Sequence, residues 1–156
     1  MIAAFLAAPI VWAALYWIFR VPAGTLLQAF ALSPAATPLQ NPAIDLSGTL
    51  WWLLIKAVLL YPVLEEIIFR GAIQGWLLER AELRKWLTGL ISIPNILTSL
   101  FFCALHFISQ PPLWAALVFI PSLVFGWSRE HTGGLTIPIL LHIWYNAGFY
   151  FLFVRF

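Results

Sequence analysis

The sequence predicts an all-α membrane protein, a polytopic bundle of about five transmembrane helices with the active site between them. Of its 156 residues, 63% are hydrophobic and only 9% are charged, whereas a soluble domain carries about 25% charged residues. A membrane-spanning helix needs about 20 apolar residues, so the chain has room for roughly five of them and for no separate soluble domain. We therefore expect residues 1–156 to form one domain embedded in the lipid bilayer of a bacterial or archaeal cell.

Each predicted helix is an apolar run of the sequence that is bounded by proline-rich, glycine-rich or charged segments. The predicted spans are residues 2–19, 49–78, 86–108, 113–127 and 135–154. A proline-rich loop is expected at 21–47, because proline cannot continue a helical hydrogen-bond ladder. Polar connections are expected at 79–85, 110–112 and 128–134.

The few charged residues argue against a nucleic-acid partner and predict the orientation of the chain in the membrane. Eight basic and six acidic residues give a net charge of +2, without a basic tract that could follow a phosphate backbone, so no nucleic-acid partner is expected. Cytoplasmic loops of membrane proteins are enriched in Lys and Arg. The side of the predicted bundle with more basic residues carries Arg80, Arg84, Lys85 and Arg129. This distribution predicts a cytoplasmic N-terminus.

Two adjacent glutamates, Glu65 and Glu66, lie inside the second predicted span. An ionised side chain at the centre of a bilayer costs at least about 2.5–3.5 kcal/mol, so acids in this position are candidates for a functional site. Glu66 and Arg70 are four residues apart and are expected to pair on one helix face. Glu65 points about 100° away. The spacing therefore assigns Glu66 and Arg70 to architecture and leaves Glu65 for chemistry.

Two further spans each contribute an intramembrane histidine. His106 follows Phe102 by four residues, so the phenyl ring is expected to pack beneath the imidazole, and Asn146 follows His142 by one turn. These polar groups could serve only to join helices through hydrogen bonds. They could also form a proton or ion relay, or Glu65 and the two histidines could bind zinc, although no HExxH pattern is present.

Hydrolysis of an amide bond is the chemistry that this set of side chains suits best. A carboxylate beside an imidazole can take a proton from water, and His and Asn donors can stabilise a developing oxyanion. We therefore predict catalytic roles for Glu65, His106, His142 and Asn146, without a required cofactor. A zinc-dependent peptidase remains an alternative.

The same residues resemble the motifs of the CPBP family, the CAAX protease and bacteriocin-processing family, also called Abi or Rce1-like. Its EExxxR motif corresponds to Glu65 through Arg70, its FxxxH motif to Phe102 through His106, and its third motif to His142 through Asn146. The resemblance covers about residues 61–150 and implies a glutamic-type intramembrane endopeptidase.

In that family pattern, Glu65 activates water with help from His106, whereas His142 and Asn146 line the oxyanion hole. Glu66, Arg70 and Phe102 support the site. The resemblance implies a protein or peptide substrate in the membrane, such as a prenylated C-terminus, a bacteriocin or a sorting anchor. A non-catalytic binding or immunity protein built on the same helices is the alternative.

Overall fold

The computed structural model describes residues 51–52, 54–80, 82–83 and 91–153, and this part of the chain is helical and contains no β-strand. The prediction of an all-α protein is confirmed for these residues. The first predicted span and the loop at 21–47 lie outside them. The chain divides into two compact units, one formed by Pro62–His142 and the other by the segments up to Tyr61 and from Ile143.

The helical elements are bounded as follows. A π-helical segment, π1, comprises Lys56–Leu60 and is followed by α1 (Tyr61–Glu66), a second π-helical segment π2 (Ile67–Ile73) and α2 (Gln74–Leu78). The later elements are α3 (Ile93–His106), α4 (Pro112–Leu117), α5 (Phe119–Thr132) and α6 (Thr136–Phe153). Within the Pro62–His142 unit, α3 packs against α5, and both contact π2.

The helix that carries the two glutamates is wider than an α-helix immediately after Glu66. The backbone N–H of Gln74 donates to Phe69 O, an i→i−5 bond that characterises π2. Short π-helical stretches occur frequently at functional sites. The regular α-helix assumed from the sequence is therefore wrong for Ile67–Ile73, although Glu66 and Arg70 still meet.

The ends of α3 and α5 follow local capping rules. Ser92 caps α3, because its extended backbone allows Oγ to accept a hydrogen bond from Asn95 N at 3.1 Å, and Pro94 occupies the first turn. Helix α5 ends where Gly133 adopts a left-handed conformation with φ of 69°. The polar turn predicted for 128–134 is therefore wrong for residues 128–132, because the helix continues through Thr132 before Gly133 ends it.

A layer of partly buried polar contacts joins α5 to α2 and α3. Glu130 Oε1 accepts hydrogen bonds from Gln74 Nε2 at 2.7 Å and from Ser92 Oγ at 2.5 Å, and Asn95 Nδ2 donates to Leu123 O at 3.0 Å. Gly126 lies where a Cβ atom would overlap the Asn95 amide group. The glycine is thus required by the close approach of α3 and α5.

Among the described residues, one helical run, Pro112–Thr132, is long and apolar enough to cross a membrane. It consists of α4 and α5, which stay joined because Val118 keeps right-handed helical dihedrals of −65° and −14°. This run contains the predicted fourth span. Helix α3 is apolar but has 14 residues, fewer than the roughly 20 that a span needs. The five-span arrangement is therefore not confirmed.

Candidate active site

Glu66 and Arg70 form a completely buried ion pair. Arg70 Nε lies 3.2 Å from Glu66 Oε2, and both side chains have 0% exposure. The geometry of this contact does not meet the angular requirement of a hydrogen bond. Arg70 and Glu66 therefore attract each other as opposite charges. Arg70 lies in π2, and its guanidinium also sits 5.0 Å from the Phe102 ring centre and 5.5 Å from that of Phe125. The pairing of Glu66 with Arg70 that the sequence predicts is confirmed.

His142 contacts both glutamates. Its Nδ1 donates a hydrogen bond to Glu66 Oε1 at 2.8 Å, and its Nε2 lies 3.5 Å from Glu65 Oε2. The imidazole stacks on Phe125 with ring centres 4.7 Å apart and planes 24° from parallel. The sequence predicted a role for His142 without predicting this contact. Glu66 therefore orients His142 in addition to pairing with Arg70.

Glu65 and Glu66 differ sharply in exposure. The Glu65 side chain is 33% exposed, whereas that of Glu66 is fully buried. The difference follows from their roughly 100° separation around the helix. Glu65 is thus the carboxylate of the pair that a water molecule can reach.

His106 lies within electrostatic range of Glu65. Its ring rests on Phe102 at 4.4 Å between ring centres, as the four-residue spacing predicts, and its Nδ1 is 2.9 Å from Phe102 O. A carbonyl oxygen can only accept, so Nδ1 carries the proton. In neutral His106, the Nε2 lone pair is then available to accept a proton or a hydrogen bond.

The Glu65–His142 contact requires one proton. His142 Nδ1 already donates to Glu66, so a neutral His142 would turn its Nε2 lone pair toward a Glu65 carboxylate oxygen. A proton between His142 Nε2 and Glu65 Oε2 removes this repulsion. With that one proton, Glu65, Glu66, Arg70 and His142 are neutral overall as a group. Burial of charges is tolerated only when they are compensated in this way.

Asn146 belongs to the other compact unit, in which its Nδ2 donates to Ala57 O at 3.0 Å. One hydrogen of its amide group is therefore used by a backbone carbonyl. The role in an oxyanion hole that the resemblance implies for Asn146 stays a prediction.

Within the part of the chain that the structure describes, no group of three or more His, Cys, Asp or Glu side chains is arranged to hold a metal ion. Both nitrogens of His142 face glutamate oxygens, and Nδ1 of His106 faces a backbone carbonyl. The geometry thus offers no ready ligand cage for zinc, and metal dependence is a question for chelation.

Two residues of the site were not predicted from the sequence. Ser122 accepts hydrogen bonds from Arg70 at both its carbonyl oxygen and its hydroxyl, and Phe125 stacks on His142. A serine and a phenylalanine within an apolar helix carry no distinctive signal, since small and aromatic residues are common in helix packing. Their three-residue spacing, which places both on one helix face, was the only available indication.

Comparison with known proteins agrees with this geometry. No solved structure matches the chain with statistical significance. A curated relative, the "Uncharacterized 24.3 kDa protein" of Escherichia coli, is 36% identical over 90 residues, which is 58% of this chain and 39% of the relative. The chain thus spans about two fifths of that relative's length. Residues 47–148 match the family described as "Type II CAAX prenyl endopeptidase Rce1-like". The chain therefore belongs to the Rce1-like family of membrane proteases.

Proposed function

We propose that this protein is a glutamic-type intramembrane endopeptidase that hydrolyses a peptide bond of a membrane-associated protein or peptide. The observation that carries the proposal is the asymmetry of the two glutamates. Glu66 is fully buried against Arg70, whereas Glu65 is 33% exposed, contacts His142 and lies within electrostatic range of His106. A helix-packing role would favour burying both acids.

Glu65 and His106 act on the water molecule. The His106 Nε2 lone pair accepts one hydrogen bond from the water, because Nδ1 donates to Phe102 O. The Glu65 carboxylate removes a proton as the water oxygen attacks the carbonyl carbon of the substrate. General-base assistance of this kind accelerates a reaction typically by about 10²- to 10⁴-fold.

His142 stabilises the oxyanion that forms on the substrate carbonyl. In its protonated state, Nδ1–H remains bound to Glu66, and Nε2–H donates to the oxyanion that forms beside Glu65. The family pattern assigns the second donor to Asn146.

Collapse of the tetrahedral intermediate completes the reaction. The carbon–nitrogen bond breaks, the carbonyl re-forms, and the proton held by Glu65 passes to the leaving amine nitrogen. The products are one chain with a new carboxylic acid, which then loses its proton to water, and one with a new amino group. Glu66, Arg70 and Phe102 keep their places throughout and hold the two histidines in position.

The family description makes a prenylated C-terminal peptide the first substrate to test. Bacteriocin precursors and C-terminal sorting anchors are the other candidate classes that the sequence resemblance suggests. Each of these classes is a protein or peptide substrate, as the protease family of the chain implies.

The test compares the full-length protein in detergent or nanodiscs with two variants, Glu65→Gln and His106→Ala. A fluorogenic farnesylated CaaX peptide and its unprenylated counterpart serve as substrates. Cleavage by the wild type should fall at least about 100-fold in each variant, while the amount of folded protein stays the same.

Two matched controls are available in the chain. His131 donates Nδ1–H to Trp127 O at 2.9 Å and stacks on that ring at 4.2 Å, a local geometry like that of His106, yet it lies exposed outside the site. Glu79 is an exposed acid. His131→Ala and Glu79→Gln should cleave at the wild-type rate. Normal processing by Glu65→Gln or His106→Ala would refute the catalytic assignment, whereas a wild type that cleaves neither peptide would favour a non-catalytic binding or immunity protein.

A further inference from the structure

Ser122 on α5 is a buried polar residue that the proposed mechanism does not use. Its exposure is 0%, and it lies 52 residues from Arg70 in the chain. Arg70 NH2 donates to Ser122 Oγ at 2.7 Å and to Ser122 O at 2.9 Å. A buried hydroxyl that accepts from a cation makes a stronger hydrogen bond than one between neutral groups.

Ser122 receives both hydrogen bonds that the Arg70 guanidinium makes to described residues. The two other guanidinium nitrogens, Nε and NH1, have no hydrogen-bond partner among those residues. The ion pair with Glu66 restrains the distance between the charges but does not, without a hydrogen bond, define the plane of the guanidinium. Ser122 is therefore the group that sets this plane.

The orientation of Arg70 is transmitted to His142. Glu66 presents Oε2 to Arg70 and Oε1 to His142 Nδ1, so a rotation of the guanidinium moves the carboxylate that holds the imidazole. His142 Nε2 in turn lies 3.5 Å from Glu65. The contacts thus run without interruption from Ser122 through Arg70 and Glu66 to His142.

A second residue on the same face of α5 contacts the His142 imidazole directly. Phe125, three residues after Ser122, is 1% exposed and stacks on the His142 ring. The ring plane is set by Phe125, and the direction of Nδ1 is set by Glu66. Helix α5 therefore restrains His142 directly through the Phe125 ring and indirectly through the Ser122 hydroxyl.

We propose that Ser122 is a positioning residue of the active site, which acts through Arg70 and Glu66 to hold the His142 imidazole in the orientation needed for oxyanion stabilisation. This inference rests on the proposed function. It predicts that loss of the hydroxyl affects the chemical step and leaves substrate binding nearly unchanged.

The experiment compares Ser122→Ala with Ser128→Ala in the full-length protein. Ser128 is a matched control, because it is also on α5, is also 0% exposed, and donates a 2.8 Å hydrogen bond to Phe125 O within its own helix. Each variant loses one buried hydroxyl. Denaturant unfolding in detergent should show a loss of stability for both, with the larger loss in Ser122→Ala because its hydroxyl accepts from a charged group.

The decisive measurement is ¹⁵N NMR of histidine-labelled protein. The chain contains three histidines, so the signals of His142 can be assigned by single substitutions. Ser122→Ala should shift the His142 ring ¹⁵N resonances and lower kcat by about threefold to tenfold with KM within about twofold of wild type. Ser128→Ala should change neither the His142 resonances nor kcat.

The outcomes separate this inference from the proposed function. Wild-type cleavage together with unchanged His142 resonances in Ser122→Ala overturns the positioning role and leaves the protease assignment intact. Equal resonance shifts in both serine variants also overturn it, because the effect would then be one of general packing. A wild-type protein that cleaves no probe refutes the proposed function, whereas a His142 shift confined to Ser122→Ala still supports the positioning contact.

Discussion

The two neighbouring glutamates should respond in opposite ways to the same conservative substitution. Glu65→Gln and Glu66→Gln each replace one carboxylate oxygen by an amide nitrogen and keep the side-chain shape. We expect Glu66→Gln to be the less stable variant and Glu65→Gln to be the less active one. The order of the two variants should therefore reverse between a stability assay and a kinetic assay.

The magnitude for Glu66 follows from its burial. Its substitution leaves the Arg70 guanidinium at 0% exposure without the carboxylate 3.2 Å away. Removing one partner of a buried ion pair costs about 3–5 kcal/mol, because an uncompensated charge stays buried. The glutamine oxygen can still accept from His142 Nδ1, so we expect about 3 kcal/mol, toward the lower end of that range.

The magnitude for Glu65 is smaller. Its side chain is 33% exposed and its contact with His142 is 3.5 Å long. Partly exposed ion pairs contribute about 0–1 kcal/mol, so Glu65→Gln should unfold within about 1 kcal/mol of the wild type. Its kcat should nevertheless fall at least about 100-fold, since the amide cannot remove a proton from water.

The assays are denaturant unfolding followed by tryptophan fluorescence and single-turnover cleavage of the farnesylated peptide, each on the three purified proteins. Kinetic values are normalised to the folded fraction, which keeps the instability of Glu66→Gln from lowering its apparent kcat. If Glu66→Gln unfolds at the wild-type denaturant concentration, the buried ion pair does not stabilise the fold and our reasoning is wrong. Our reasoning would also be wrong if the same variant were the more impaired one in both the stability assay and the kinetic assay.

Two other predictions concern helix packing and metal dependence. Gly126→Ala should lower the free energy of unfolding by about 1–3 kcal/mol, because its Cβ would overlap the Asn95 amide. The control is Gly75→Ala, whose Cβ would meet only Arg70 O at 3.9 Å. Equal stability of the two variants would contradict the close approach of α3 and α5. Exhaustive chelation should leave peptide cleavage unchanged, since water activation is assigned to Glu65 and His106; activity that is lost on chelation and restored by added zinc would instead establish the zinc-dependent alternative.

Local spacing explains why part of the site could be predicted from the sequence. Glu66 with Arg70 and Phe102 with His106 are both separated by four residues, and side chains at this spacing meet on a helix whatever the rest of the fold does. The helical nature of the chain likewise follows from its long apolar runs. The π-helical widening at Ile67–Ile73 could not be predicted in this way, because apolar periodicity does not distinguish one type of helix from another.

Contacts between helices could be decided only by the tertiary structure. The sequence by itself predicted that Glu65, Glu66, His106 and His142 belong to one functional group, since intramembrane polar residues need partners and the motifs occur in the family's order. That His142 bridges both glutamates, across 76 residues of chain, depends on how separate helices pack. The contact of Ser122 with Arg70 across 52 residues depends on the same packing. No periodicity within one helix carries this information, because the packing sets both the distance and the direction between helices.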